Sequence, residues 1–401
     1  MTERFKKAEG IMRQQSDVLR DLNYIKENHL KAYIFGCGMI GKDAGYDILN
    51  FLGVQAANYC DNDNAKWGQV IKEGISCVSP EILSCKDKVA CFVMVSCKYE
   101  DEVVEQLKNY PNVMIITYQE LLTLDAVIDR FIESCVQEDC KSENKIEHKK
   151  HSNSINPIHN KYNKKAVVYT CIVGGYDSFV EPICYSEDCD YYYISDKEPE
   201  NLKVFQWIDI NSIVPGDLKD NFRKNRFCKI NSCHIFSEYH YSIYIDGNIQ
   251  IMGNVLKYVE KIGRSGIATH RLPGEKDVYA HALHCVIAKF DKKSLIFQQM
   301  ADYYKEGMPR NYGMLECTIL VRDNTNPLCK KIMNNWWQEV YSRSYRDQLS
   351  FTYCLWKNGI ETMDVGVLGD NYRNNIDFKR TSNHHRRNKE NEMVFDAEEN
   401  R

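Results

Sequence analysis

The sequence predicts an α/β protein with two sheet-containing domains. Residues 31–125 alternate short apolar runs with helical patterns, and residues 165–380 do so again. Between them, residues 135–165 (CVQEDCKSENKIEHKKHSNSINPIHNKYNKK) lose apolar periodicity and read as a linker. The length of 401 residues accommodates both domains, since one domain takes roughly 100–200 residues. Strand–helix alternation implies parallel sheets with crossover helices.

Taken in order, Val18, Leu22 and Ile25 recur at helical spacing within residues 1–30, predicting one or two amphipathic helices packed on the next domain. KAYIFG is a strand, followed by a glycine turn and the helix GKDAGYDILNFLG. VQAANYCDND, VACFVMVS and NVMIITY are further strands, and EDEVVEQLKNY and QELLTLD are helices, which carries the first domain over 31–134. The second domain, 166–385, opens with AVVYTCIV running into GGYD, then YYYISD, then YSIYIDGNIQI. The last of these is apolar on both faces, the mark of a central strand. NVLKYVEKIG reads as a helix, a His/Arg-containing loop follows, and KKSLIFQQMADYYKEG is the next helix; MLECTILVR is a strand, and CKKIMNNWWQEVYSRS and RDQLSFTYCLWKNG are helices. Residues 386–401 are a charged tail.

Composition excludes several function classes. Lys+Arg 52 against Asp+Glu 56 gives a charge of −4, without the basic excess of a nucleic-acid binder. The longest apolar run, Val89–Cys97, is half of what a membrane helix needs. Seventeen cysteines with no C-x-x-C pair, behind a polar N-terminus, indicate free thiols in a reducing, cytoplasmic compartment.

Gly36-Cys37-Gly38-Met39-Ile40-Gly41 is a G-x-G-x-x-G between strand and helix, and Asp61 follows at the end of the second strand. Such glycines admit a pyrophosphate at a helix N-terminus, while the acid binds a ribose hydroxyl. This marks a Rossmann-like domain. Yet residues 31–125 contain no His and no Tyr-x-x-x-Lys, so a redox step is not expected there. YCDNDNAKWG and GISCVSPEIL resemble the PglD-like small Rossmann domains of bacterial polysaccharide enzymes, which implies an accessory or nucleotide-sugar-gripping role.

In the second domain, Asp246-Gly247-Asn248 ends the both-face-apolar strand, where α/β proteins gather their ligands. Asp246 and Asn248 stand at Asp-x-Asp spacing, a pattern of oxygen ligands for Mn²⁺ or Mg²⁺ bridging a diphosphate, and Gly247 lets the diphosphate approach. A plain Asp-Gly-Asn turn is the alternative. Arg223, Arg226 and Lys229 lie on roughly one helical face and could meet the diphosphate; a solvated face is equally open. Glu316 lies in an apolar run, where a charge needs a partner or a use. Asp347 is either a helix cap or a base or sugar ligand.

YTCIVGGYD (Tyr169–Asp177), YYISD (Tyr192–Asp196), RKNRFCKIN (Arg223–Asn231), YSIYIDGNIQI, THRLPGEKDVYAHA (Thr269–Ala282), MPRNYGMLECTILVR (Met308–Arg322), NNWWQEV and RDQLSF (Arg346–Phe351) occur in this order. Together they make the second domain resemble the domain-of-unknown-function 616 family, glycosyltransferase-like proteins of the TOD/MUCI type. The resemblance implies a GT-A-type nucleotide-diphospho-sugar transferase domain behind the Rossmann-like one. It also implies that Thr170, Gly174, Gly175, Tyr176, Asp177, Asp196, His270 and Arg271 contact the donor, with Tyr176 stacking on the base; for His270 and Arg271 a surface loop is equally open. Glu316 and Asp347 become catalytic candidates, and His384 (or His385) is either a late metal ligand beside Asp246 or, as the commoner case, part of a frayed tail. Asn248 in place of a second acid weakens metal dependence. One of Trp336 and Trp337 would be core and the other a wall for a sugar ring.

The expected function is transfer of a sugar from a nucleotide-diphosphate donor to a polysaccharide or glycolipid-type acceptor in bacterial surface-glycan synthesis. The setting is cytoplasmic, with peripheral contact to the inner membrane face or to glycan-assembly proteins. The alternatives are an NAD(P)-dependent sugar-nucleotide-modifying enzyme using the first domain, and a non-catalytic sugar-binding scaffold.

Overall fold

The structure, a computed structural model, describes residues 13–141, 157–272 and 274–381. Its contacts form two units, Met1–Lys141 with Tyr279–Asp302, and Ser142–Val278 with Tyr303–Arg401. The sequence reading drew the second domain as one stretch, 166–385. The contacts instead assign residues 279–302 to the first unit.

In the first unit, α1 (Gln15–Glu27) buries Val18, Leu22 and Ile25, the stripe that the spacing marked. The sheet comprises β1 (Ala32–Phe35), β2 (Ala56–Cys60), β3 (Val70–Lys72), β4 (Ile75–Val78), β5 (Val89–Val93) and β6 (Val113–Thr117), in the order β3-β4-β2-β1-β5-β6. Only the β3–β4 pair is antiparallel. All five residues of β5 are buried, which explains its unbroken apolar run. The helix after the glycine turn begins as a π-helical stretch, Ile40–Gly45, and continues as α2 (Tyr46–Phe51). α3 (Cys97–Leu107) and α4 (Tyr118–Leu121) follow. α5 (Asp125–Lys141) runs on through residues assigned to the linker, because Cys135 and Asp139 remain buried in it.

The second unit's seven-stranded sheet has the order β14-β12-β13-β10-β7-β8-β9. In chain order its strands are β7 (Ala166–Ile172), β8 (Cys189–Ser195), β9 (Gln206–Asp209) and β10 (Tyr241–Ile245), then β12 (Ile267–Thr269), β13 (Ile319–Asp323) and β14 (Gly366–Val367). β10, β7, β8 and β9 are mutually parallel, and β13 runs antiparallel beside β10. YSIYIDGNIQI is not one strand. It breaks at Asp246–Asn248, and β11 (Ile249–Ile251) joins β15 (Phe378–Arg380) in a separate two-stranded sheet. The break lies where the turn-forming Asp-Gly-Asn stands.

Helices α6 (Asn221–Ile230) and α7 (Ser232–Ile235) precede β10. α8 (Val278–Ile287) arises where the sequence reading saw a loop, and α9 (Lys293–Lys305) follows it. α10 (Pro327–Ser342) and α11 (Asp347–Lys357) follow β13. NVLKYVEKIG forms a 3₁₀ stretch, Val255–Lys261, rather than an α-helix.

Residues 157–165 are held in place. Ile158 N–H donates to Ile235 O at 2.7 Å, and the Asn160 side chain bonds the Lys164 backbone in both directions at 2.8 Å.

Adjacent helical residues point roughly 100° apart, yet Trp336 and Trp337 are both fully buried. Trp336 packs on Phe351 of α11 and donates to Asp347 O at 2.9 Å, while Trp337 meets Phe227 of α6 edge-on at 5.0 Å. Neither is a wall for sugar, because α10 is covered on two sides. We expect Trp337→Ala to cost about 3–5 kcal/mol of stability in chemical denaturation.

Candidate functional site

The second unit's strand order reverses between β7 and β10. Ligands of α/β sheets bind beyond the carboxyl ends of strands at such a switch point. Two glycine-bearing turns meet there. Gly174 and Gly175 follow β7 with φ of +65° and +66°, a region that favours glycine. Gly174 N–H donates to Asp196 Oδ1 at 3.1 Å, so the acid ending β8 fixes the turn after β7. Gly247 follows β10 so closely that an added Cβ would lie 2.5 Å from Ile172 Cγ1 and 3.4 Å from Asp177 Oδ2. The turn after β10 and the Asp177 carboxylate are therefore neighbours.

Asp246 is the first residue past β10. Its Oδ1 accepts from Tyr244 OH at 2.9 Å and faces Lys229 Nζ at 3.3 Å. Tyr244 shares Asp246's side of the strand at i, i+2, a relation legible in the sequence but not used there. Lys229 is 2% exposed, and its Nζ also lies 2.8 Å from Asp347 Oδ2. Arg226 Nε approaches the same Asp347 oxygen at 3.3 Å. Two cations from α6 and two acids, one after β10 and one opening α11, thus form one cluster. Burial opposes each charge, but the partners prevail. Asp347 is held well below the carboxylate range by Arg226 and Lys229, and Lys229 is held above its ordinary value by Asp246 and Asp347.

Asp347 opens α11, and its Oδ1 accepts from Gln348 N–H at 3.2 Å. Arg346 is the cap residue of α11, and the Asp347 carboxylate serves as counter-ion to two cations. So committed a carboxylate is a poor general base. Glu316 lies not in a strand but in the segment leading to β13. Its N–H donates to His270 O at 3.0 Å, and its carboxylate accepts from Thr318 OH. Burial, with the Asp246 charge behind it, raises its pKa.

The other expected contacts each have a setting of their own. Arg223 donates to Val340 O at 3.2 Å and Arg343 O at 2.6 Å and pairs with Asp220 at 2.8 Å; it ties α6 to the end of α10. His270 is fully buried, edge-on to Phe378, with Asn375 at 3.0 Å. Burial and then Lys261 lower its pKa to about 4, so it carries no charge for a phosphate at neutral pH. Arg271 is exposed. Thr170 is buried just inside the end of β7. Tyr176 is 44% exposed and edge-on to Phe222, which stacks on Tyr345 at 4.5 Å; this supporting pair was not anticipated. Asn248 O accepts from Thr381 N–H at 2.8 Å. His384 and His385 lie outside the described residues.

A further residue the sequence reading missed is Arg322, fully buried on β13. It donates to Lys229 O at 2.6 Å and Tyr169 OH at 2.7 Å, capping α6 behind the lysine.

In the first unit, an added Cβ on Gly41 would lie 1.8 Å from Gly36 O, so packing within the turn already requires glycine there. Gly36 has φ +110°, and nothing lies within 4 Å of a Cβ added to Gly38. Asp61 is spent within the loop, accepting from Cys37 N–H at 2.8 Å and Lys66 Nζ at 3.0 Å.

Two cations share Asp347, so Asp347→Asn should destabilise the protein by about 3 kcal/mol at pH 7. Its folded pKa is depressed, so this stabilisation is complete above the unfolded value near 4 and is lost as pH falls toward the folded value. Denaturation curves of wild type and variant should converge on acidification.

No curated protein matches the sequence. Among solved structures, the chain is similar to the apo WbbM bifunctional glycosyltransferase (11% identity, 68% of this chain, 52% of that one, TM-score 0.35). It spans about half of WbbM's length. It is also similar to apo mouse xyloside xylosyltransferase 1 (11%, 50% and 84%, TM-score 0.27) and to galactosyltransferase LgtC in complex with donor and acceptor sugar analogs (12%, 52% and 74%, TM-score 0.30). The profile of the TOD1/MUCI70 glycosyltransferase-like domain matches residues 139–381, more than half of the 401 residues, and the chain belongs to that family.

Proposed function

We propose that this chain moves a sugar from a nucleotide-diphosphate donor to a glycan or glycolipid-type acceptor, in bacterial surface-glycan synthesis at the cytoplasmic face of a membrane. The observation that carries this reading is the buried Lys229, bridging Asp246 and Asp347 beyond the switch point. Among the described residues no helix is long and apolar enough to cross a membrane. The reading takes contact with a lipid-linked acceptor to be peripheral.

In this reading the donor's base lies against Tyr176, backed by Phe222 and Tyr345, with Asp177 and Asp196 beside the ribose. The diphosphate lies over Gly247, within reach of Lys229 and Arg226. Glu316, raised by burial, takes the proton from the acceptor hydroxyl, and Thr318 OH orients it. Asp347 keeps Lys229 and Arg226 charged and in place.

The donor set suits a divalent cation that arrives with its substrate. The two cations are already matched by two carboxylates, so an entering diphosphate needs more positive charge. Asp246 is 30% exposed and, among the described residues, uses only Oδ1 internally. Mg²⁺ or Mn²⁺ in nucleotide sites takes one or two carboxylates plus phosphate oxygens, and among the described residues no group of three ligating side chains forms a self-sufficient cage. Asp246, with Asn248 nearby, would hold such an ion, which would offset charge on the leaving diphosphate.

Calorimetric titration of UDP and GDP tests the site. One nucleotide should bind in the presence of Mn²⁺, and Asp246→Ala should weaken it by about 1.5–3 kcal/mol. Equal affinity in both proteins rejects the assignment. In a donor-hydrolysis assay, Glu316→Gln should lower kcat about 100-fold or more with the melting temperature nearly unchanged. The acid limb of the wild-type pH profile should lie above ~4.3, the ordinary Glu value, because the raised Glu316 must lose its proton to act.

A further inference from the structure

A second cleft opens at the other end of the same sheet. It has a volume of about 450 Å³ and lies by the amino ends of β8 and β9, whereas Asp246 follows the carboxyl end of β10. Tyr162 and Tyr185 line it, 69% and 57% exposed. Single exposed aromatics are ordinary, but two lining one cleft are not.

Both rings are presented by fixed backbone. Tyr162 sits in the loop that Asn160 closes through its paired bonds to Lys164, and that loop is anchored by Asn160 N–H to Glu238 at 2.8 Å. Tyr185 is held edge-on by Tyr191 at 6.4 Å, and Tyr191 OH accepts from Ser186 N–H at 3.0 Å. Rigid backbone holding apolar ring faces in water is the arrangement of a prepared contact surface. The polar lining points to the ligand. Lys203, Glu187 and Gln206 line the cleft, and among the described residues their side-chain heads make no hydrogen bond or ion pair. Donors and acceptors of mixed charge beside aromatic faces do not suit a polyanion. They suit a sugar, whose C–H face stacks on rings while its hydroxyls seek both donors and acceptors. The volume lies within the range of small-ligand pockets.

We propose that this cleft is a second, non-catalytic carbohydrate site, gripping a few residues of an oligosaccharide chain between Tyr162 and Tyr185. Its binding does not rest on the transfer reading, since it is read without turnover.

The test uses the full chain on an array of short neutral and acidic oligosaccharides, with calorimetry on any glycan retained. Wild type should retain at least one glycan. Tyr162→Ala/Tyr185→Ala should weaken it about tenfold or more, the product of two aromatic contacts. Tyr162→Phe/Tyr185→Phe should keep most of the affinity, and Asp246→Asn should keep all of it. Melting curves check the folding of each variant. The proposal is overturned if wild type retains no glycan or if the double alanine variant binds equally well. It is overturned equally if binding disappears in Asp246→Asn, which would place the glycan at the transfer site.

Discussion

An ammonium group with almost no access to water must be surrounded by opposite charge, or it loses its proton. Lys229 meets that condition with an acid from the turn after β10 and an acid from the start of α11. Because α6 carries the lysine, one side chain determines how a strand end and two helices converge. Arg322 braces the arrangement from beneath, since its guanidinium takes the carbonyl of Lys229 itself. Tyr169 donates to the same carbonyl at 3.1 Å. The lysine is thus fixed at both its backbone and its charged end. A preorganised cation of this kind costs no reorganisation when an anion arrives.

The local features of this site were legible in the sequence. A both-face-apolar strand ending in Asp-Gly-Asn announces a buried strand and a turn at its carboxyl end. Gly174-Gly175 announces a second turn, and the helical spacing of Arg226 and Lys229 places both on one side of α6. Each signal lies within about ten residues of chain. The fold as a whole was legible for the same reason: strands such as β5, β7 and β8 are buried on both faces and read as continuous apolar runs.

What spacing does not carry is which distant group answers a charge. Arg223 has the same side-chain type and helical spacing as Arg226, yet one answers the carbonyls ending α10 and the other Asp347, more than a hundred residues onward. His270 reads as a polar loop residue until Phe378 and Asn375 close around it. Trp336 and Trp337 look like one buried ring and one free ring when α10 is drawn alone, and they change meaning once α6 and α11 cover it. Glu316 was assigned to a strand because the apolar residues around it continue the pattern of β13, although pairing with β10 begins only at Ile319.

The helix pair formed by residues 279–302 bears on how the protein divides. Phe297 lies edge-on to Phe131 of α5 at 5.4 Å, and Lys293 pairs with Glu138 at 2.9 Å. A piece of chain ending at Lys141 would carry the whole six-stranded sheet yet leave that side of α5 uncovered. The family profile, for its part, encloses a segment that completes the other unit's core. The two parts are thus interleaved along the chain, and neither is a cassette that recombination could move intact with a single cut.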